Sequence, residues 1–539
     1  MMKIQFSNRR INRAKILYIL LAVTFGAVSL PAEPLLPKIF GDSMVLQRDM
    51  AVPVWGVADP GEEVSVKFAG QAKRATADKN GEWQVKLDPM PSSTQARSME
   101  ISSPKLTKAI LFNNVLVGDV WMCGGQSNMY FSLNATGVPE DISSANFPNI
   151  RCIKVNPTAT GEPQNDITTY GWHLANPSSA GGFTAAGFFF AREINKITGI
   201  PIGLIDDNQG GTQIESWCSR ASLSATPELS DISKKYEAKM SEYRQSLPEK
   251  MEALEKWIQG ARKALAENRD MPKAQWPVNP LAGQGNPCAL FNGMIAPLIP
   301  YGIKGALWYQ GEDNFKDGDI YFHKMKALIG GWRAAWGQGD FPFYFVQLAN
   351  FGPPQTVAAG GGGFTGVRLA QFKALSIANT GMAVAIDLGE ANNIHPKNKL
   401  DVGKRLALWA LAKNYGQKDI VYSGPLFREQ KIENGAIRIY FDSIGSGLMV
   451  GKKNGRDPAV EDAGEKLKLF AIAGADKKYV WANAVIDKDS VVVSSASVPR
   501  PVSVVYALAG NPEGANLYNK EGLPASPFRS DDAPARLPR

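Results

Sequence analysis

A lone serine placed like a nucleophile stands in the run Gly118-Asp119-Val120-Trp121-Met122-Cys123-Gly124-Gly125-Gln126-Ser127-Asn128-Met129. Residues 115–120 have an apolar strand pattern, the glycine pair Gly124-Gly125 comes soon after, and Ser127 stands two residues beyond the pair. Glycine lets a backbone turn sharply and approach a ligand closely. A hydroxyl at such a junction can attack a carbonyl, and the amide beside it can face the developing oxyanion. A serine nucleophile needs a base, usually an imidazole, and the chain has three histidines. His323 falls in a helical pattern and reads as a surface residue. His173 follows Trp172 in a turn-rich segment and reads as packing. His395, in Asn393-Ile394-His395-Pro396 after the apolar run 382–386, is the expected base.

The elements that must position these groups share one feature. Ser127 follows the strand pattern 115–120, and Asp207-Asn208-Gln209-Gly210-Gly211-Thr212 follows 202–205. Gln310-Gly311-Glu312-Asp313-Asn314 follows 306–309, and Asp387-Leu388-Gly389-Glu390 with His395 follows 382–386. In open α/β sheets ligands bind beyond the carboxyl ends of the strands, so four such loops define one expected site. Oxyanion donors are expected from the amides of Ser127 and Gly211 and from the side chain of Gln310, with Asn314 a further candidate. Glu312 could instead anchor the Ser127 loop. Arg368 could pair with a substrate carboxylate, since arginine makes bidentate contacts, or could lie on a helix surface.

Strand and helix patterns alternate between 113 and 415, which predicts a parallel sheet covered on both faces. Residues 33–112 read as short period-two strands separated by Asp59-Pro60-Gly61 and Lys79-Asn80-Gly81, a small β-sandwich signature. The charged stretch 225–275 reads as a two-helix insertion with a solvated face. Residues 351–363 form a glycine-rich loop, a candidate lid. Strand patterns return across 417–539, a second β-rich region.

Composition narrows the class further. With 44% hydrophobic and 20% charged residues, the chain of 539 residues is globular. Lys3, Arg9, Arg10, Arg13 and Lys15 precede an apolar stretch over 16–30 and small residues, the pattern of an exported protein's signal peptide over 1–32. Its removal lowers the net charge from +8 to about +3, and no basic stripe points to nucleic acid. No second membrane span follows, so a periplasmic or extracellular location is expected, without stable membrane insertion. Cys123, Cys152, Cys218 and Cys288 lack metal or redox spacing and read as buried apolar residues. No cofactor is called for.

The motifs GGQSNM, DDNQGGTQIESW, ALWYQGEDN and NNIHPKNKLDVGKRLAL, with the closing stretches 516–519 and 522–529, resemble the sialate O-acetylesterase family, a branch of the GDSL/SGNH hydrolases. The resemblance spans residues 34–530. It implies a flavodoxin-like three-layer hydrolase domain over 113–416, no metal, and release of acetate from acetylated sugars. It also supports Ser127 as nucleophile, His395 as base, and Gly211 and Gln310 near the oxyanion. One position departs from the superfamily pattern: the aspartate often found three residues before the histidine is Asn392 here. The orienting carboxylate is then Glu390, whose longer side chain could reach back, or Asp387, or absent. Acetylated sialic acid is the first expected substrate and acetylated xylan or another polysaccharide the second. A non-catalytic carbohydrate-binding protein is the reading from another class.

Overall fold

The computed structural model describes residues 35–274 and 276–532; the expected signal peptide lies outside the described residues. Strands are numbered here within the central sheet. They are β1 (Ile110–Gly125), β2 (Phe147–Val155), β3 (Thr169–Ala175), β4 (Ile202–Asn208), β5 (Gly305–Tyr309), β6 (Phe343–Gln347) and β7 (Thr380–Val384). Their spatial order is β7-β6-β5-β1-β4-β2-β3. The first six of these pair in parallel, and β3 joins antiparallel at the edge. Strands β4, β5 and β6 are buried along their whole length. That is why they read as unbroken apolar runs: a parallel strand covered on both faces has no solvent side.

Beside the short helices Pro139–Ser143 and Arg220–Ser224, the helices named here are α1 (Ser127–Tyr130), α2 (Ala185–Thr198), α3 (Ser230–Ala266), α4 (Ile320–Trp336), α5 (Thr365–Ala374) and α6 (Lys399–Asn414). Alternation along β1 distributes the covering layers. Trp121 meets Phe190 of α2, whereas Gly124 lies under Trp332 of α4. Helix α2 packs on α6, and α4 packs on α5. Capping fixes where two of these helices begin. The Thr184 side chain accepts from the Gly187 amide at the start of α2, and that of Asn398 accepts from Asp401 at the start of α6.

One sequence expectation changes, and another gains detail. The division expected at 112/113 falls inside β1. The first half of β1 pairs with Val45–Gln47 and Ser93–Ser102, and its second half pairs with β4 and β5. One 16-residue strand therefore joins the N-terminal strands to the central sheet. The expected helix pair in 225–275 is one continuous helix of 37 residues, with Pro248 inside it. Proline removes one backbone hydrogen bond, and here that loss does not end the helix. Residues 426–529 contribute antiparallel sheets, two of them four-stranded; one of these runs Leu426–Glu433, Ala436–Asp442, Ser490–Ser494 and Asn483–Asp487 in that order.

Candidate active site

The carboxyl ends of β1, β4, β5 and β7 carry the four loops to one rim. Gly125 has φ +138°, and a Cβ there would collide with the Tyr309 carbonyl oxygen of β5. Only glycine lets the chain leave the sheet so close to its neighbour. Ser127 then opens α1, where the first amides of a helix lack internal partners. Gln126 Oε1 accepts from the amides of Gly311 and Asp313, each at 3.3 Å, tying the serine turn to the loop after β5.

His395 Nε2 lies 2.8 Å from Ser127 Oγ, across 268 positions of sequence. Both residues are half-buried at the wall of a cleft. Burial, and then the charge of Lys399, lower the His395 imidazole below its ordinary value of 6.5. Both effects favour the neutral imidazole, the form that accepts a proton.

Neither candidate carboxylate touches the imidazole. Glu390 Oε2 accepts from Asn393 Nδ2 at 3.0 Å, and Oε1 from the Lys397 amide at 2.9 Å. Asn393 accepts in turn from the His395 amide at 3.0 Å and donates to the His395 carbonyl at 2.9 Å. Glu390 thus shapes the loop that presents His395. Asp387 is held in a bidentate pair by Arg405 at 2.6 and 2.7 Å and accepts from the Tyr518 hydroxyl at 3.2 Å. A carboxylate so committed is an anchor of α6, and the expectation that either acid orients His395 Nδ1 is corrected. Among the described residues Nδ1 has no hydrogen-bond partner. Asn392, the superfamily's usual aspartate position, is exposed.

The remaining expected residues divide. Gly211, at φ +66°, lines the cleft beside Ser127, on a loop pinned by the Gln209 amide donating to the Gly125 carbonyl at 3.1 Å. Gln310 does not face the cleft. Its Nε2 donates to the Thr212 carbonyl at 3.0 Å and to Asn314 Oδ1 at 2.6 Å, and its Oε1 accepts from Tyr321 at 2.8 Å. One amide proton braces the 212 loop and the other Asn314, so Gln310 has none left for an oxyanion. Asn314, the other side-chain candidate, is buried and donates to Glu215 and Asp317. Arg368 is 1% exposed and gives its protons to four carbonyls: Leu348 at 2.7 Å, Ala349 at 2.6 Å, Ala509 at 2.6 Å and Gly510 at 2.9 Å. It staples the end of β6 to the C-terminal region and cannot also pair with a substrate carboxylate.

Three residues beneath the pair went unassigned or half-assigned in the sequence. Asn128 Nδ2 donates to Glu312 Oε1 at 2.5 Å and to the Ile394 carbonyl at 3.0 Å, and its Oδ1 accepts from Lys399 Nζ at 2.7 Å. Glu312 is thus an anchor of the serine turn, and burial raises its carboxyl above the usual value. A lysine four residues after the histidine, among the apolar residues of α6, was the signal available for Lys399.

The cleft has a volume of about 860 Å³. Phe315, Phe351, Val357 and Phe364 supply apolar wall, with the glycine-rich loop along one side. Among the described residues, the only carboxylates lining it are those of Glu312 and Asp313, and no lysine or arginine does. No group of three or more His, Cys, Asp or Glu among those residues could hold a metal ion. All four cysteines are buried free thiols, raised by burial.

A family model for carbohydrate esterases, the sialic acid-specific acetylesterases, matches residues 117–274 and 291–412, the segments that hold this whole constellation. The chain belongs to that family. Sialate O-acetylesterase of Rattus norvegicus is 31% identical over 427 residues, covering 72% of this chain and 75% of that protein. The Homo sapiens enzyme is 30% identical over 431 residues, with 73% of each chain covered. The crystal structure of a carbohydrate acetylesterase from Xanthomonas citri matches with a TM-score of 0.75 at 35% identity, over 93% of this chain and 100% of that one. The family member described here is an esterase acting on acetylated sugars.

Proposed function

We propose that this esterase works by a serine nucleophile, Ser127, with His395 as its base. The 2.8 Å contact between them at the cleft wall carries the reading. His395 Nε2 takes the hydroxyl proton as Oγ attacks the acetyl carbonyl carbon. The amides of Ser127 and Gly211 face the oxyanion; amide donors fixed before the reaction stabilise it without reorganisation. The tetrahedral intermediate expels the sugar oxygen, which takes the proton from His395. Water, deprotonated by His395, then attacks the acetyl-enzyme, and acetate leaves as Oγ recovers its proton. Ser127→Ala is expected to remove turnover of a small acetyl ester, by about 10⁴-fold or more, with the circular dichroism spectrum and melting curve unchanged. Full activity in that variant rejects the assignment.

The relatives' names support a sialic acid O-acetyl ester as substrate. A neutral acetylated glycan, such as acetylated xylan, is the second reading. It is favoured by a cleft lined by carboxylates without a cation, and by the commitment of Arg368 to backbone carbonyls. Acetate release from 9-O-acetylated sialic acid measured beside acetylated xylan separates the two. A binding-only protein would have no need of a neutral imidazole on a serine hydroxyl.

The parallel order of the central strands supports reading 113–416 as a flavodoxin-like SGNH hydrolase domain with its helical insertion at 225–275. The flanking regions would be 33–112 and 417–539. The leader pattern over 1–32 supports export to the periplasm or the exterior. Detection of the mature protein in a periplasmic or culture fraction, with an N-terminus near residue 33, tests that part.

A further inference from the structure

Lys399, four residues after His395 and the first residue of α6, is fully buried beside the Ser127–His395 pair. Its ammonium donates to Asn128 Oδ1 at 2.7 Å and to the Pro396 carbonyl at 2.6 Å. It also lies over the rings of Phe131 and Tyr309, 4.5 and 5.5 Å from their centroids. Asn128, the residue after the nucleophile, donates to the carbonyl of Ile394, the residue before the histidine. Both chain neighbours of His395 are therefore fastened to the neighbour of Ser127 through one asparagine and one ammonium.

We propose that Lys399 is the positioning residue of this active site. Held under the pair, its ammonium fixes the histidine loop against the serine turn and keeps the imidazole in its proton-accepting form. A carboxylate at Nδ1 does the first job in an ordinary triad but works against the second, because an anion favours imidazolium. A buried cation reverses that sign. The inference rests on the Ser127–His395 reading of the previous subsection.

The electrostatics around Lys399 agree. The groups acting on it are the Glu312 and Glu390 carboxylates, with the Tyr309 and Phe131 rings and the His395 imidazole close by. Burial outweighs the two carboxylates and brings the ammonium down to about 7, so the cation is present across the acid limb and is lost as the pH rises past that value. Small displacements of reacting atoms matter here: about 1 Å of misplacement costs on the order of 10²-fold in rate.

The test is Lys399→Met, which keeps the length and apolar stem but removes the donors and the charge. Expected are a fall in kcat of about 10²-fold with KM changed less than threefold, and an acid limb of kcat/KM moved to higher pH. A folded variant with unchanged kcat, or with an unmoved acid limb, overturns the proposal. Asn128→Ala cuts the same link but keeps the cation. It should lower kcat without moving the limb, and a limb that moves equally far in both variants also overturns it. Should Lys399→Met not fold, the wild-type protein still decides, because its three histidines can be titrated by NMR. A His395 midpoint at or above 6.5 refutes the inference. Ser127→Ala assayed in parallel separates the two readings: full activity there means that the nucleophile assignment has failed, and loss of activity there with a normal Lys399→Met means that this inference has.

Discussion

Replacing Arg368 separates two physical roles by their magnitudes. The guanidinium is 1% exposed and donates to four backbone carbonyls at 2.6–2.9 Å, two from the end of β6 and two from residues 509 and 510. Burial lowers the group to about 9, so it remains charged at neutral pH. A hydrogen bond from a charged donor contributes about 1.5–3 kcal/mol, and stranding a buried acceptor costs about 1–3 kcal/mol. Four bonds do not add simply, because the 509–510 segment can open to water once released. The expected loss for Arg368→Met is therefore ~3–5 kcal/mol, the range for removing one partner from a buried charged cluster. Arg368→Lys keeps the charge but offers three tetrahedral donors to four carbonyls arranged for a planar fork, so at least one acceptor is stranded. The assay has two arms. Thermal unfolding of Arg368→Lys should show a clear drop in Tm. Its KM for 9-O-acetylated sialic acid and for a neutral acetylated xylooligosaccharide should change by the same factor. A variant as stable as the parent that loses affinity only for the sialic acid ester would refute the structural assignment and restore Arg368 as a carboxylate-binding group.

Asp387→Asn should lower stability by ~3–5 kcal/mol, because Arg405 is left buried without its counter-charge. At a temperature where the variant is folded, its kcat should stay within a few-fold of the parent. A loss near 10⁴-fold, the scale for a triad aspartate, would make Asp387 the orienting acid after all. With His395 as the proposed base and its imidazole lowered below 6.5, kcat/KM should fall as the pH drops past a midpoint below 6.5, and loss of the Lys399 charge above about 7 should lower it on the alkaline side. Gly125→Ala should cost more than ~3 kcal/mol or prevent folding, because the added methyl meets the Tyr309 carbonyl; urea unfolding measures it.

The proximity of Ser127 and His395 was legible because each follows a recognisable apolar run. A strand that ends in glycines announces a tight turn, and with three histidines in the chain the choice of base was narrow. The roles of Asp387, Gln310 and Arg368 were not legible. Each is a polar residue close in sequence to the site, and proximity in sequence does not say where a side chain points. Arg405, Thr212 and the carbonyls of Ala509 and Gly510 claim them, from 18, 98 and more than 140 residues away. The continuity of β1 across the division expected at 112 was not legible for a related reason. A strand pattern shows that a segment is extended and buried, not that its two halves pair with different partners.

The amino-acid order alone determined the groups on offer: a serine hydroxyl at a glycine turn, one imidazole on a loop after a strand, and a parallel-sheet scaffold set by unbroken apolar strands. Those follow from local rules of backbone freedom and side-chain periodicity. The tertiary structure decided which of the charged and amide side chains act on the pair and which only brace the scaffold. That choice depends on hydrogen bonds across the fold, and a buried donor or acceptor takes whichever partner packing brings within reach. It is also why a lysine, whose number in the chain says little, is found beneath the reacting atoms.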